Sequence, residues 1–135
     1  MTNFLKKLFG GQPAPSSVGQ DDGHGPIHVG DADFAQVVLG ADSLAIVDLW
    51  ADWCRPCHML APTIERLAAE YEGRVLVAKL DVDENQATAR RYGVRSIPTV
   101  LFIRDGKEID RMVGVQPYIS FANRINRHLE PAGGQ

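Results

Sequence analysis

Little in this sequence points to a metal, a membrane or a nucleic acid. Its 135 residues hold two cysteines and four histidines, and His24, His28, His58 and His128 show no paired spacing. A structural zinc site normally takes four ligands, so a zinc protein is not expected. No apolar run approaches the roughly 20 residues that span a bilayer, so stable membrane insertion is not expected either. Lysines and arginines number 14 against 17 aspartates and glutamates, and the net charge of −3 offers no basic footprint for nucleic acid. Lys6 and Lys7 are not followed by the apolar stretch of about 7–15 residues that a secretory signal requires. The expected location is therefore the cytoplasm, a reducing compartment. There a two-cysteine motif reads as catalytic or metal-binding rather than structural.

What is present is ordinary for a globular protein. The hydrophobic share is 44% and the charged share 23%. The length suits one domain with chain enough to bury a core. Both cysteines fall in one stretch, Asp48-Leu49-Trp50-Ala51-Asp52-Trp53-Cys54-Arg55-Pro56-Cys57-His58, which follows an apolar strand-like run and opens a long helical one. Positions three apart on a helix share a face, so the two sulfurs can meet. The loop they would close is tiny, and closing it removes little entropy from the unfolded chain. Such a bond is poor as a staple, which points to a pair that opens and closes as chemistry.

The rest of the chain divides at about residue 26. Residues 1–26 read as a flexible N-terminal extension: six of the 13 glycines occur by Gly30, and Gln12-Pro13-Ala14-Pro15-Ser16-Ser17 has linker composition. Within it, Phe4, Leu5, Leu8 and Phe9 flank Lys6 and Lys7 as one or two amphipathic turns, either a frayed tail or a weak membrane or partner tether. Residues 27–130 carry the globular pattern, and 131–135 form a C-terminal tail. Ile27-His28-Val29 reads as an edge strand, and Asp31 or Asp33 as the cap of a helix through Leu39 closed by Gly40. Ser43–Trp50 is a near-continuous apolar run, as in a central strand buried on both faces. Leu60, Ile64, Leu67, Ala68 and Tyr71 give a helix from about Cys54 to Tyr71, with a kink expected at Pro62. A strand at Arg74–Asp81 and a short helix at Asn85–Tyr92 follow. Two strands, Thr99–Ile103 and Ile109–Val113, are joined through Asp105-Gly106. A last helix runs from Pro117 to Leu129 on an apolar stripe of Phe121, Ile125 and Leu129. The order β α β α β α β β α implies an α/β fold: parallel pairing across the helices and an antiparallel terminal hairpin.

Four segments together resemble thioredoxins: Val47–Cys57, Ala78-Lys79-Leu80-Asp81-Val82-Asp83, Val94-Arg95-Ser96-Ile97-Pro98-Thr99, and Asp105-Gly106. A bare C-x-x-C has many uses, but these motifs in this order and spacing are specific, and the likeness runs from about Ile27 to Leu129. It implies the thioredoxin fold, a central mixed sheet flanked by helices, and reduction of protein disulfides. It further implies no bound cofactor, regeneration by an NADPH-linked thioredoxin reductase, disulfide-containing client proteins and a monomeric state.

The chemistry can be read residue by residue. Cys54 falls in the first turn of a helix, where unpaired amides and the macrodipole favour a thiolate that can attack a disulfide; Cys57, one turn on, is placed to resolve the mixed disulfide. Pro56 lacks an amide hydrogen, harmless in a first turn, and fixes the backbone. Trp53 resembles the aromatic flanking the family's active site. Asp48 is costly inside an apolar strand unless neutral or paired. The resemblance sets it beneath the cysteines as an aid to proton transfer, unless it ends the strand in solvent; Lys79, on the expected neighbouring strand, is its candidate partner. Ile97-Pro98 matches the family's cis-proline, which implies a place against the cysteines with the Ile97 backbone pairing an extended substrate. Gly114, between Val113 and Val115, would complete that groove. Arg55 departs from the family, where glycine is common. It either stabilises the Cys54 thiolate and makes the pair more oxidising, or is a solvated charge.

The sequence admits three rival readings. Cys54-Arg55-Pro56-Cys57-His58 fits the C-x-x-C-H of c-type haem attachment, although that chemistry needs an exported chain and a strand feeding straight into the motif does not suit it. A more oxidising disulfide oxidase or isomerase could use the same fold. A redox-inert binding module on this fold would normally have lost a cysteine.

Overall fold

The computed structural model describes residues 25–131. The amphipathic Phe4–Phe9 segment, the linker-like stretch after it and the residues beyond Pro131 lie outside that range. Five strands, β1 (Ile27–His28), β2 (Leu44–Trp50), β3 (Val75–Asp81), β4 (Thr99–Arg104) and β5 (Lys107–Val113), form one mixed sheet in the order β1-β3-β2-β4-β5. Three helices pack on it: α1 (Arg55–Glu70), α2 (Gln86–Arg91) and α3 (Tyr118–Leu129).

β2 is central, and its side chains alternate between two cores, which is why its sequence is apolar throughout. Leu44 and Ile46 join Leu60, Ile64 and Leu67 of α1 and Phe121 and Ile125 of α3 on one side. Ala45, Val47 and Leu49 join Phe34 and Val38 on the other. α1 continues across Pro62, whose missing amide leaves the His58 carbonyl without its usual intrahelical donor. Asp105 and Gly106 both take positive φ (53° and 78°) and turn β4 into β5, as the two-residue hairpin requires.

Two expectations are corrected. The segment Ala35–Leu39 is a short, wide helical turn, with the Gly40 amide donating to the Ala35 carbonyl at 3.0 Å. Neither aspartate caps it as expected: Asp33 accepts from the Gly30 amide at 2.8 Å, while Asp31 reaches across to α2 and accepts from the Ala87 and Thr88 amides and the Thr88 hydroxyl at 3.1, 2.9 and 2.6 Å.

The second concerns strand direction. β2 pairs in parallel with β3, but β4 runs antiparallel to β2 although a helix separates it from β3. A six-residue helix advances about 9 Å, whereas a seven-residue strand covers about 23 Å. α2 is thus too short to carry the chain back, and β4 starts at the end where β2 and β3 stop. That reversal brings the loop before Thr99 beside the start of α1.

Candidate active site

Cys54 stands where β2 ends and α1 begins. It is the N-cap of α1, with extended backbone (φ −89°, ψ 105°), and Pro56 sits in the first turn. Its Sγ accepts the Cys57 amide at 3.2 Å, so sulfur takes one of the amides that a helix start leaves unpaired. A disulfide joins Cys54 to Cys57, and both residues are buried. A small apolar cluster of Ala51 and the two cysteines is closed by Trp50, Val82 and Ile97.

The second wall comes from the loop that the reversal of β4 delivers. The Ile97–Pro98 peptide is cis, and the Ile97 carbonyl oxygen lies 3.8 Å from Cys54 Sγ. Two backbone-directed bonds hold this loop: Thr99 Oγ1 donates to the Ser96 carbonyl at 2.7 Å, and the Gly114 amide donates to the Pro98 carbonyl at 2.9 Å. Gly114 has φ +89°, a conformation that costs glycine nothing and strains other residues.

Asp48 is 1% exposed, so it does not end β2 in solvent. By strand alternation it shares the face of Leu44 and Ile46, the α1 side, with Trp50 next along that face. Neither carboxyl oxygen has a hydrogen-bond partner among the described residues, and the Trp50 indole nitrogen is likewise buried and unpaired. Burial pushes the Asp48 carboxyl up from 3.8 to about 6, with the positive charge of Lys79 pulling the other way. Lys79 is the in-register neighbour of Asp48 on β3 but makes no direct ion pair with it; its ammonium lies over the Trp50 ring, 4.7 Å from the centroid.

Trp53 is 70% exposed, the most exposed large apolar side chain among the described residues. Its indole donates to Asp83 Oδ2 at 2.9 Å, which fixes the ring beside the disulfide. Between Trp53 and the Ile97 loop runs a groove of about 570 Å³, open to solvent and bounded by Arg55, Val82, Ala89, Val94, Arg95 and Ser96. The α2 side of this wall, with Asp83, was not singled out in the sequence as part of a site. Asp83 and Val82 lie in the Ala78–Asp83 motif, and Val94 to Ser96 in the motif before Pro98, so the segments were visible while their convergence was not. Val113, Gly114 and Val115 do not line this groove; of the three, Gly114 bonds the cis-proline through its amide. His58, noted only as a haem-motif residue, packs edge-on to Trp50 and bonds the Asp52 carbonyl through Nε2 at 2.6 Å, which makes Nε2 the protonated nitrogen.

Among the described residues no helix is long and apolar enough to cross a membrane, and no three His, Cys, Asp or Glu side chains converge as metal ligands. The arrangement is suited to reversible sulfur chemistry. One sulfur sits at a helix start beside a backbone carbonyl and a groove, the other lies one turn deeper, and a buried carboxyl close to neutrality lies on the same side of the sheet.

Comparison with known proteins agrees. The family model described as Thioredoxin matches residues 25–127. Thioredoxin 2 of Chlorobaculum tepidum is 50% identical over 99 residues, which cover 73% of this chain and 91% of that protein. Thioredoxin of Haemophilus influenzae is 47% identical over 103 residues, 76% of this chain and 96% of its own. The solved structure of a mutant thioredoxin from Halobacterium salinarum NRC-1 superposes with a TM-score of 0.72 at 38% identity, covering 80% of this chain and 94% of that one. Thioredoxins are dithiol–disulfide oxidoreductases that carry electrons on their own cysteine pair, without a cofactor, and generally deal with thioredoxin reductase and disulfide-bearing clients. Because both the matched span and the identity extend over nearly all of the described residues, this chain belongs to the thioredoxin family and is a dithiol–disulfide oxidoreductase.

Proposed function

We propose that the chain reduces protein disulfides in the cytoplasm, with Cys54 as nucleophile and Cys57 as resolving thiol. The observation that carries this reading is the asymmetry of the two sulfurs: Cys54 Sγ caps α1 and faces the Ile97 carbonyl, while Cys57 lies inside the helix. In the reduced protein the Cys54 thiolate attacks one sulfur of a client disulfide. A Cys54–client bond forms, the client bond breaks, and the first client sulfur leaves as a thiolate. Cys57 then gives its proton to the Asp48 carboxylate and attacks the Cys54 sulfur. The internal disulfide closes and the second client sulfur departs, so two electrons have passed to the client.

The other groups serve these steps. Asp48 accepts the Cys57 proton because its burial lifts it toward the pH of the reaction, and Lys79 tempers that lift. Trp53 walls the groove, Pro56 fixes the turn between the sulfurs, and Arg55 adds positive charge near the thiolate. The Ile97 peptide pairs an extended client backbone, with Pro98 and Gly114 keeping that peptide in place. Electrons come from NADPH through a thioredoxin reductase, and the protein works as a monomer. Residues 27–130 are the functional domain.

A Cys57→Ser variant tests the assignment. After incubation with cell extract it should hold clients as mixed disulfides on Cys54, released by dithiothreitol and resolved on non-reducing gels. The Cys54→Ser variant should hold none. Trapping by the second variant instead would exchange the two roles.

A further inference from the structure

The groove beside Cys54 carries an unbalanced charge. Its apolar floor is Val82, Ala89, Val94 and Ile97, and its only charged lining side chains among the described residues are Arg55 and Arg95. Both arginines are exposed. Neither makes an ion pair or a side-chain hydrogen bond among the described residues, in contrast to Arg111 and Arg124, which are paired. Asp83 accepts from the Trp53 indole and does not line the groove. Among the described residues no carboxylate lines the groove, although the chain as a whole has a net charge of −3. Two guanidinium groups with unused donors therefore border an apolar slot that ends at the reactive sulfur.

An extended peptide advances about 3.3 Å per residue and points successive side chains to opposite faces. When its half-cystine meets Cys54, the residues one and two positions away lie within reach of the groove. An apolar side chain there can enter the slot. A carboxylate there can meet a guanidinium, whose planar fork matches it with two parallel hydrogen bonds. We infer that this oxidoreductase selects disulfide clients that carry an aspartate or glutamate within two residues of the attacked cysteine, recognised by Arg55 and Arg95. The inference rests on the reading of the chain as a protein-disulfide reductase and adds the class of client to it.

The test uses the full-length reduced chain and three disulfide-linked peptide dimers of equal length. They differ only in bearing aspartate, asparagine or lysine two residues before and one after the cysteine. The rate constant for protein oxidation is followed by tryptophan fluorescence. Each value is divided by that of dithiothreitol with the same peptide, which removes the peptides' intrinsic reactivity. The normalised rate should fall in the order aspartate, asparagine, lysine, with about tenfold between the extremes at low ionic strength and less than about twofold in ~0.5 M salt. Arg95→Gln should at least halve the aspartate-to-lysine ratio, and Arg55→Gln with Arg95→Gln should bring it near one. Because the ratio compares peptides on the same protein, any change that Arg55→Gln makes in thiolate reactivity cancels. Equal rates for all three peptides, or a ratio the double variant leaves intact, overturn the acidic preference while reduction itself stands. Failure to reduce any peptide or the interchain disulfides of insulin overturns the reductase reading and the inference with it.

Discussion

Asp48 is a carboxyl group carried into the core by a strand whose other residues are apolar. Its pKa rises from 3.8 to about 6 because burial penalises the charged form. The folded chain thus holds this proton more tightly than the unfolded chain does. The neutral group's contribution to stability is fully present below about 3.8 and is lost as pH rises through about 6. A shift of that size corresponds to roughly 3 kcal/mol between the two protonation states. The Asp48→Asn variant of the oxidised protein should therefore gain about 1–3 kcal/mol over the parent at pH 8 and almost nothing at pH 4, measured by urea denaturation. In disulfide exchange the same variant should be slower and should lose the inflection near pH 6. Parallel stability–pH curves for the two proteins would mean that Asp48 does not titrate in this range. The presence of this residue was legible in the sequence, since a lone acid within Leu44–Trp50 demands an explanation. That Lys79 neighbours it on the next strand was legible too; that the ammonium lies over the Trp50 ring, with no direct ion pair to Asp48, was not.

At the scale of elements, α2 forms the groove wall and is held from outside. With six residues it is too short to be stable by itself, and it depends on the Asp31 carboxylate at its N-terminal amides. The hydroxyl of Thr88, then burial acting in the opposite sense and the two amides, set the pKa of Asp31, with a net result below the usual carboxylate value. The stabilisation is therefore present above pH ~3.8 and fades as pH falls below it. Asp31→Ala should cost about 1–2 kcal/mol at pH 7 and progressively less as pH falls through the lowered pKa of Asp31. Hydrogen exchange at Ala87 and Thr88 should speed up before that at β2 or β3. Uniform acceleration across the sheet would show that the anchor serves the whole fold rather than α2. Local pattern could not assign this contact, because capping statistics look three residues ahead and Asp31 acts across more than fifty positions. β4 poses the same difficulty. A helix between strands normally signals a parallel return, and only its length against that of the strands reveals the reversal that brings Pro98 to the cysteines.

For the whole molecule the governing quantity is the reduction potential of the Cys54–Cys57 pair, since it compares two complete folded states. A thermodynamic cycle links it to stability: folding shifts the potential from that of the unfolded chain by the difference between the unfolding free energies of oxidised and reduced protein. For this two-electron couple about 30 mV corresponds to about 1.4 kcal/mol. The sequence delimited the cycle well, because the strand, the C-x-x-C helix start and the proline loop follow from local pattern and family likeness. It left the poise open, because Arg55 acts through a field that depends on where its side chain and the solvent lie. In the structure Arg55 is exposed and borders both the groove and a second depression beside Trp53 and His58. A permanent charge there favours the thiolate, and hence the reduced form, but water screens it. The parent potential, equilibrated against glutathione, should lie near the reductant value of about −270 mV, and Arg55→Gly should make it more negative by on the order of 10–30 mV. The cycle supplies an internal check, since the gap between reduced and oxidised stability must move by the matching amount in the same sense. If Arg55→Gly leaves the potential unchanged, the arginine has no part in the poise and its place beside the groove is left to client recognition. A parent value of −200 mV or above would instead make oxidation or isomerisation the working direction of the same two sulfurs.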